Sequence, residues 1–400
     1  MPEAVIAATA RTPIGRAMKG SLVDSRPDDL TALVIRSVLD QLPDLDASMV
    51  EDVILGCAQP AGESGYNMAR VAALLAGIDA PGVTVNRYCS SSLQAIRMAA
   101  HAIRAGEGDV FIAAGVETVS RYGHGAADVG PHNPAFGDAE ARTAARAPAV
   151  TDPWSPAPGL PDIYIAMGQT AENVAEAECV SRSEMDEFAC LSQNRAVESQ
   201  ANGFFEHEIV PVTTPGGAVV SKDDGPRPDT TVEGLSQLKP AFREGGTVTA
   251  GNACPLNDGA AAVVVMSDTM ASQLGIAPLA RVVSSGVSAL NPEIMGLGPV
   301  EASRQALRRA GMSIDDIDLV EINEAFAAQV IPSARHLGVP WEKLNVKGGA
   351  IALGHPFGMT GARIMTTLLH ALADEDKTFG LETMCIGGGQ GMAMVVERLS

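Results

Sequence analysis

The chain has 400 residues, with 46% hydrophobic side chains, 41 glycines and 4% aromatics. That is more chain than one hydrophobic core usually supports, so two or three packed units of α/β type are expected, and disorder is excluded. Forty-eight acidic against 28 basic residues give a formal charge of −20, without the dense Lys and Arg that a nucleic-acid partner requires.

The N-terminal part reads as alternating strands and helices. Residues 4–8 form an apolar strand, 29–39 a helix and 53–56 a second strand. Val83-Thr84-Val85 is a short β-branched run. Leu93, Ile96, Ala100 and Ile103 then recur at helical spacing, and residues 110–114 return to strand. Residues 121–162 carry Pro131, Pro134, Pro148, Pro153, Pro156, Pro158 and Pro161 and read as a long irregular excursion: a solvated loop, a lid or a subunit contact. Residues 171–200 are strongly helical and 221–236 loop-like. Further on, 317–322, Leu344-Asn345-Val346 and 378–386 read as strands, while Met365, Leu368 and Leu372 mark a helix face. This second stretch echoes the element order of the first and predicts two related α/β halves. Ligand sites in such sheets lie beyond the C-terminal strand ends, where Cys89 and Cys385 fall. The longest apolar stretches, such as 260–266, are too short to span a bilayer, and neither end carries a targeting signal, so a cytoplasmic setting is expected.

Six cysteines, at 57, 89, 179, 190, 254 and 385, include no C-x-x-C pair, so neither a disulfide framework nor a zinc site is expected. Cys57, Cys179 and Cys190 read as small buried packing residues. Cys89 stands at a helix start, where the dipole and free N–H groups favour a thiolate, lowering the thiol pKa from about 8.5. Cys385, in Met384-Cys385-Ile386-Gly387-Gly388-Gly389-Gln390-Gly391, lies beside glycines that leave backbone N–H groups open to a ligand. Five glycines surround His355 in residues 348–363, a costly loop unless something sits there, and a histidine within reach of a cysteine is the pairing that activates thiol nucleophiles. His101, His207, His336 and His370 fall on polar or helical surfaces and read as structural. Asn323, where a strand gives way to a helix, is either an N-cap or an amide that serves a water or an oxyanion. Spacing alone favours the cap.

Together, Val85-Asn86-Arg87-Tyr88-Cys89-Ser90-Ser91-Ser92-Leu93-Gln94-Ala95, Asn323-Glu324-Ala325-Phe326, Gly354-His355-Pro356-x-Gly358 and Cys385-Ile386-Gly387-Gly388-Gly389 resemble, in order, the four signature blocks of the thiolase family. The resemblance runs nearly end to end, through Arg11-Thr12-Pro13-Ile14-Gly15, Gly168-Gln169-Thr170-Ala171-Glu172-Asn173-Val174-Ala175 and Asn257-Asp258-Gly259-Ala260-Ala261. It implies an α/β thiolase fold: two βαβαβαββ halves in a five-layered αβαβα arrangement. The first half would occupy residues 1–120, completed by about 246–275, with a loop domain inserted at 121–245; the second half would occupy 276–400.

The resemblance also implies roles. Cys89 matches the nucleophile that becomes acylated, His355 the histidine that activates it, and Cys385 a second cysteine that moves protons. Asn323 matches an asparagine whose bound water, with His355, forms one oxyanion hole; the N–H groups of Cys89 and Gly387 match the second. Arg227 matches an arginine near the nucleotide of coenzyme A, and Met167 and Phe242 match tunnel-lining residues. The implied reaction is thiolytic cleavage of a 3-ketoacyl-CoA to acetyl-CoA and a shortened acyl-CoA, or its reverse, condensation of two acetyl-CoA. Coenzyme A is a substrate, and no metal or redox cofactor is implied. Expected partners are CoA and acyl-CoA, a second copy in a homodimer or homotetramer, or a β-oxidation hetero-complex. Two departures stand out. Cys254-Pro255 replaces a serine that contacts pantetheine, followed by a small or polar residue. Ala166 stands where acetoacetyl-CoA enzymes place His, which with Val85-Asn86-Arg87 leans toward the degradative group. A ketoacyl synthase would lack Cys385, and a non-catalytic acyl-CoA carrier would have lost the reactive set.

Overall fold

The computed structural model describes residues 2–146 and 153–400. Nine strands dominate: β1 (Ala4–Arg11), β2 (Asp52–Gly56), β3 (Gly82–Val85), β4 (Val110–Thr118), β5 (Asn257–Ser267), β6 (Ala280–Ala289), β7 (Leu319–Ile322), β8 (Phe379–Ile386) and β9 (Gln390–Arg398). They join in the order β7-β8-β9-β6-β1-β5-β4-β2-β3. Read outward from the middle, the path β1-β5-β4-β2-β3 on one side is matched by β6-β9-β8-β7 on the other. The echo in the sequence is therefore a repeat of strand order. β1 and β6 join the two paths antiparallel at only two pairs, Val5–Arg281 and Ile6–Ala280.

The helices complete the layers. α1 (Pro27–Asp40) and α2 (Met68–Ala76) cover the outer face of the first half, and α6 (Gly298–Ala310) and α7 (Ala327–Leu337) that of the second. α3 (Ser91–Ala105) and α8 (Thr360–Asp374) pack against each other between the two halves of the sheet. The αβαβα arrangement follows, with one apolar core around α3 and α8 and one under each outer layer. Strands covered on both faces read as unbroken apolar runs, and β5, buried along its whole length, carries such a run over residues 260–266.

Four expectations need correction. Leu344-Asn345-Val346 does not form a strand but touches the sheet in a single parallel bridge, Val320 to Leu344. Asn345 turns left-handed there (φ 45°), and its side-chain amide takes over the pairing: Oδ1 accepts from Ile322 N and Nδ2 donates to Ile322 O, both at 2.9 Å. The helical stretch at 171–200 divides into α4 (Met167–Ala177) and α5 (Arg182–Ala201). The break has two local causes, a left-handed Cys179 (φ 53°) and a reciprocal Ser181–Glu184 cap that starts α5. Cys179 is consequently exposed and not a packing residue, whereas Cys57 is buried and Cys190 partly so. Finally, the excursion at 121–162 contains a ten-residue helix, Gly137–Arg146, and Pro148 lies outside the described residues. No helix among the described residues is long and apolar enough to cross a membrane.

Candidate active site

Cys89 is placed by a strained turn. Tyr88 adopts φ 43°, unusual for a bulky residue. Asn86 Oδ1 accepts from Tyr88 N at 2.8 Å, while Ser91 Oγ accepts from Arg87 N at 2.9 Å and donates to Tyr88 O at 2.7 Å. One 3-10 turn, Tyr88–Ser90, then leads into α3 and turns Cys89 toward a cavity of about 360 Å³. The thiol pKa is not lowered, as its position at a helix start predicts; burial pushes it up to about 11, with Glu117 adding to the rise. The N–H groups of Gly387 and of Cys89 itself point to the sulfur and oppose that shift without cancelling it. Desolvation of a thiolate outweighs the helix dipole here, because Cys89 stands before the first α-helical turn.

His355 is buried behind the cavity wall, its ring edge-on to Phe357, which lines the cavity. Asn257 Oδ1 accepts from its backbone N–H at 3.0 Å and Thr360 Oγ1 lies 2.6 Å from Nδ1. Thr360 donates its own proton to Pro356 O at 2.8 Å, so Nδ1 must carry the ring proton and Nε2 is left as the basic atom. Nε2 lies 3.3 Å from Nδ2 of Asn323. Burial, with Arg363 adding to it, depresses the imidazole pKa to about 3. The resting pair is therefore a neutral thiol and a neutral imidazole.

Asn323 is not an N-cap, because α7 begins at Ala327 and its cap residue is Phe326. Its Nδ2 faces His355 and its Oδ1 is buried with no partner among the described residues, which leaves it open to a water or ligand. Cys385 ends β8, fully buried; its thiol is raised well above the ordinary value by burial and then by Cys89 and Cys254. Burial and the nearby Cys89 also raise Cys254. Three thiols thus share one region.

The cavity is lined by Met167 and Gly387 as well as Cys89. Phe242 lies outside it, half exposed, stacked edge-on against Phe326 and pressed onto Gly168, where a Cβ would overlap the ring. Arg227 is exposed on a loop, near enough to Arg16 for the two cations to oppose each other. Several contacts that hold the site escaped sequence reasoning, although Gly358 and Glu324 fall inside the motifs quoted above. Buried Glu117 accepts from Ala58 N, Gln59 N and Gly358 N, clamping the His355 loop to the end of β2. Gly358 fits only without a side chain, since a Cβ would lie 2.3 Å from Val116 O. Glu324 ties Ser192, Asn345 and Ile351 together. Such clamps carry no local pattern that marks them. The excursion at 121–162 and the residues just after it supply Asp128, His132, Ile163, Tyr164 and Ile165 to the cavity wall.

Comparison with known proteins agrees with this geometry. Residues 4–269 match the model of the thiolase N-terminal domain and 276–398 that of the thiolase C-terminal domain. The chain is 45% identical to a 3-ketoacyl-CoA thiolase of Bacillus subtilis, covering 99% of this chain and 100% of the relative. It is 46% identical to a 3-oxoadipyl-CoA/3-oxo-5,6-dehydrosuberyl-CoA thiolase of Escherichia coli over 100% of both chains. The structure of an acetyl-CoA acetyltransferase from Bacillus anthracis superposes with a TM-score of 0.86 at 38% identity, covering 100% of this chain and 99% of the other. The chain is an acyltransferase and belongs to the thiolase family.

Proposed function

We propose that the enzyme cleaves 3-ketoacyl-CoA between C2 and C3, passing the shortened acyl group through Cys89 to coenzyme A. The observation that supports this reading is the meeting of Cys89, Gly387 and Phe357 on one cavity wall, with His355 packed edge-on to Phe357 and its Nε2 left unprotonated. Attack and deprotonation are concerted, because neither group is charged at rest: Cys89 gives its proton to Nε2 as sulfur bonds to C3. Asn323 Nδ2, with a water on its free Oδ1, and the two N–H groups stabilise the separate oxyanions; losing one such donor typically costs roughly 10²–10³ in rate. Collapse breaks C2–C3 and releases an acetyl-CoA enolate, which takes a proton at C2 from Cys385, a thiol that burial keeps protonated. Coenzyme A returns a proton to Cys385, its thiolate takes the acyl group, and His355 restores the proton to Cys89. Arg227, with Arg16 beside it, supplies local positive charge for the phosphates of coenzyme A in an otherwise acidic chain.

The thiolytic direction is supported by Ala166 at the head of α4 and by the relatives named as 3-ketoacyl-CoA and 3-oxoadipyl-CoA thiolases. The acetyltransferase neighbour favours condensation as the second reading. Intact-mass measurement after incubation with acetyl-CoA, which can acylate Cys89 without breaking a C–C bond, tests the chemistry. Wild type and Cys385→Ala are expected to carry one acyl adduct and Cys89→Ala none, while Cys385→Ala loses thiolysis by roughly 10²-fold or more. An adduct persisting on Cys89→Ala overturns the assignment, and thiolysis confined to acetoacetyl-CoA favours the condensing role.

A further inference from the structure

The cavity over Cys89 has two kinds of wall. Ala58, Tyr88, Ile163, Ile165, Met167 and Phe357 give it an apolar lining, but Gln59, Tyr164 and Gln390 also face it. In each of these three, the acceptor atom is already taken. Gln59 Oε1 accepts from Ala127 N and Asp128 N at 2.7 and 2.8 Å. Both donors are backbone N–H groups, so the orientation of the amide is fixed and Nε2 is the free end. Gln390 Oε1 accepts from Arg87 Nη1 at 2.9 Å; an arginine can only donate, so here too Nε2 is free, and the cation polarises the amide into a better donor. Tyr164 Oη accepts from Asn133 N at 3.1 Å, which leaves its O–H to donate. Its ring is held by a flat stack on His132, centroids 3.8 Å apart, and His132 is tied in turn to Glu140 at 2.8 Å. None of the three free donors has a protein acceptor among the described residues.

Three donors with no acceptor are surplus to the reaction itself. The oxyanions of the bond-breaking steps have their own donors in the reading given above, on which this inference rests: the N–H pair at Cys89 and the Asn323–His355 pair. An oxygen elsewhere on the substrate is what the surplus matches. We propose that Gln59, Tyr164 and Gln390 determine specificity, selecting acyl chains that carry a hydrogen-bond-accepting group, a carboxylate or a ketone, beyond the reacting carbonyl. Asp128, also on the wall, sets the choice between the two, because its charge opposes a carboxylate and tolerates a ketone.

Steady-state thiolysis of three CoA esters of matched length tests this: 3-oxoadipyl-CoA, 3,6-dioxoheptanoyl-CoA and 3-oxoheptanoyl-CoA. At least one of the first two is expected to exceed the third in kcat/KM by about tenfold or more, the discrimination one or two buried hydrogen bonds supply. Gln59→Glu keeps the bonds to Ala127 and Asp128 but removes the donor, and Tyr164→Phe removes only a hydroxyl. Each is expected to bring that ratio down several-fold, with the carboxylate substrate losing most in Gln59→Glu. Equal kcat/KM for the three esters in wild type, or variants that slow all three alike, overturn the selectivity and leave the acyl-transfer reading standing. Absence of an acyl adduct on Cys89 from every ester overturns both.

Discussion

At the residue scale, local patterns single out candidate reactive groups but not their resting state. Cys89, His355 and Cys385 stand out by the glycines and helix start around them, which are local patterns. The protonation state depends on burial, and burial comes from distant segments such as β8 and the Gly387 turn. A helix start predicts a ready thiolate, yet the thiol is raised to about 11 and the imidazole depressed to about 3. This difference has a direct test. Alkylation of the free enzyme by iodoacetamide requires the thiolate, so its rate at Cys89 should climb about tenfold per pH unit from pH 7 toward pH 10. A thiolate–imidazolium pair already formed at rest would instead give a plateau from about pH 6 to 9, and that outcome would remove the concerted first step.

At the scale of elements, periodicity located most strands and helices but missed the places where a side chain substitutes for backbone. Asn345 is the clearest case: in sequence it sits between Leu344 and Val346 in an expected strand, and in the fold its amide closes the edge of the second half. It also donates to Glu324 Oε1 at 2.8 Å, and Glu324 accepts from Ile351 N, close to the His355 loop. Asn345→Ala therefore strands a buried N–H and C=O of Ile322 and places a Cβ residue at positive φ. The expected loss is roughly 2–4 kcal/mol, read as a lower urea midpoint, and Asn345→Gly should recover about 1 kcal/mol of it by relieving φ alone. Equal midpoints for wild type and Asn345→Ala would show that the amide does not hold the edge. The break between α4 and α5 teaches the same point, since both segments are helical by composition and a left-handed Cys179 with the Ser181–Glu184 cap divides them.

For the whole molecule, the echo of element order was enough to foresee two halves, while the seam between them was invisible. Two residue pairs in the sheet and the packing of α3 on α8 cross it, and within the second half, among α8, β7 and β8, lies an island of buried ionisable groups. Arg363, Glu321 and Glu382 belong to that island, and burial raises Glu321 to about 8 and Glu382 well above its usual range. A carboxyl raised in the folded state holds its proton there while the unfolded chain releases it. Its contribution to stability is present below about pH 4.5 and lost as pH rises through about 8. Urea midpoints of wild type should thus fall between pH 6.5 and pH 9 more steeply than those of Glu321→Gln; parallel curves would place the titration elsewhere. The seam has one more consequence. Cys89 rides on the N-terminal half of the sheet, whereas Asn323, His355 and Cys385 are carried by the other. In the proposed reaction turnover is thus a ruler laid across the joint: a slip of one half against the other by about 1 Å, too small to unfold either, is enough to cost about 10²-fold in rate.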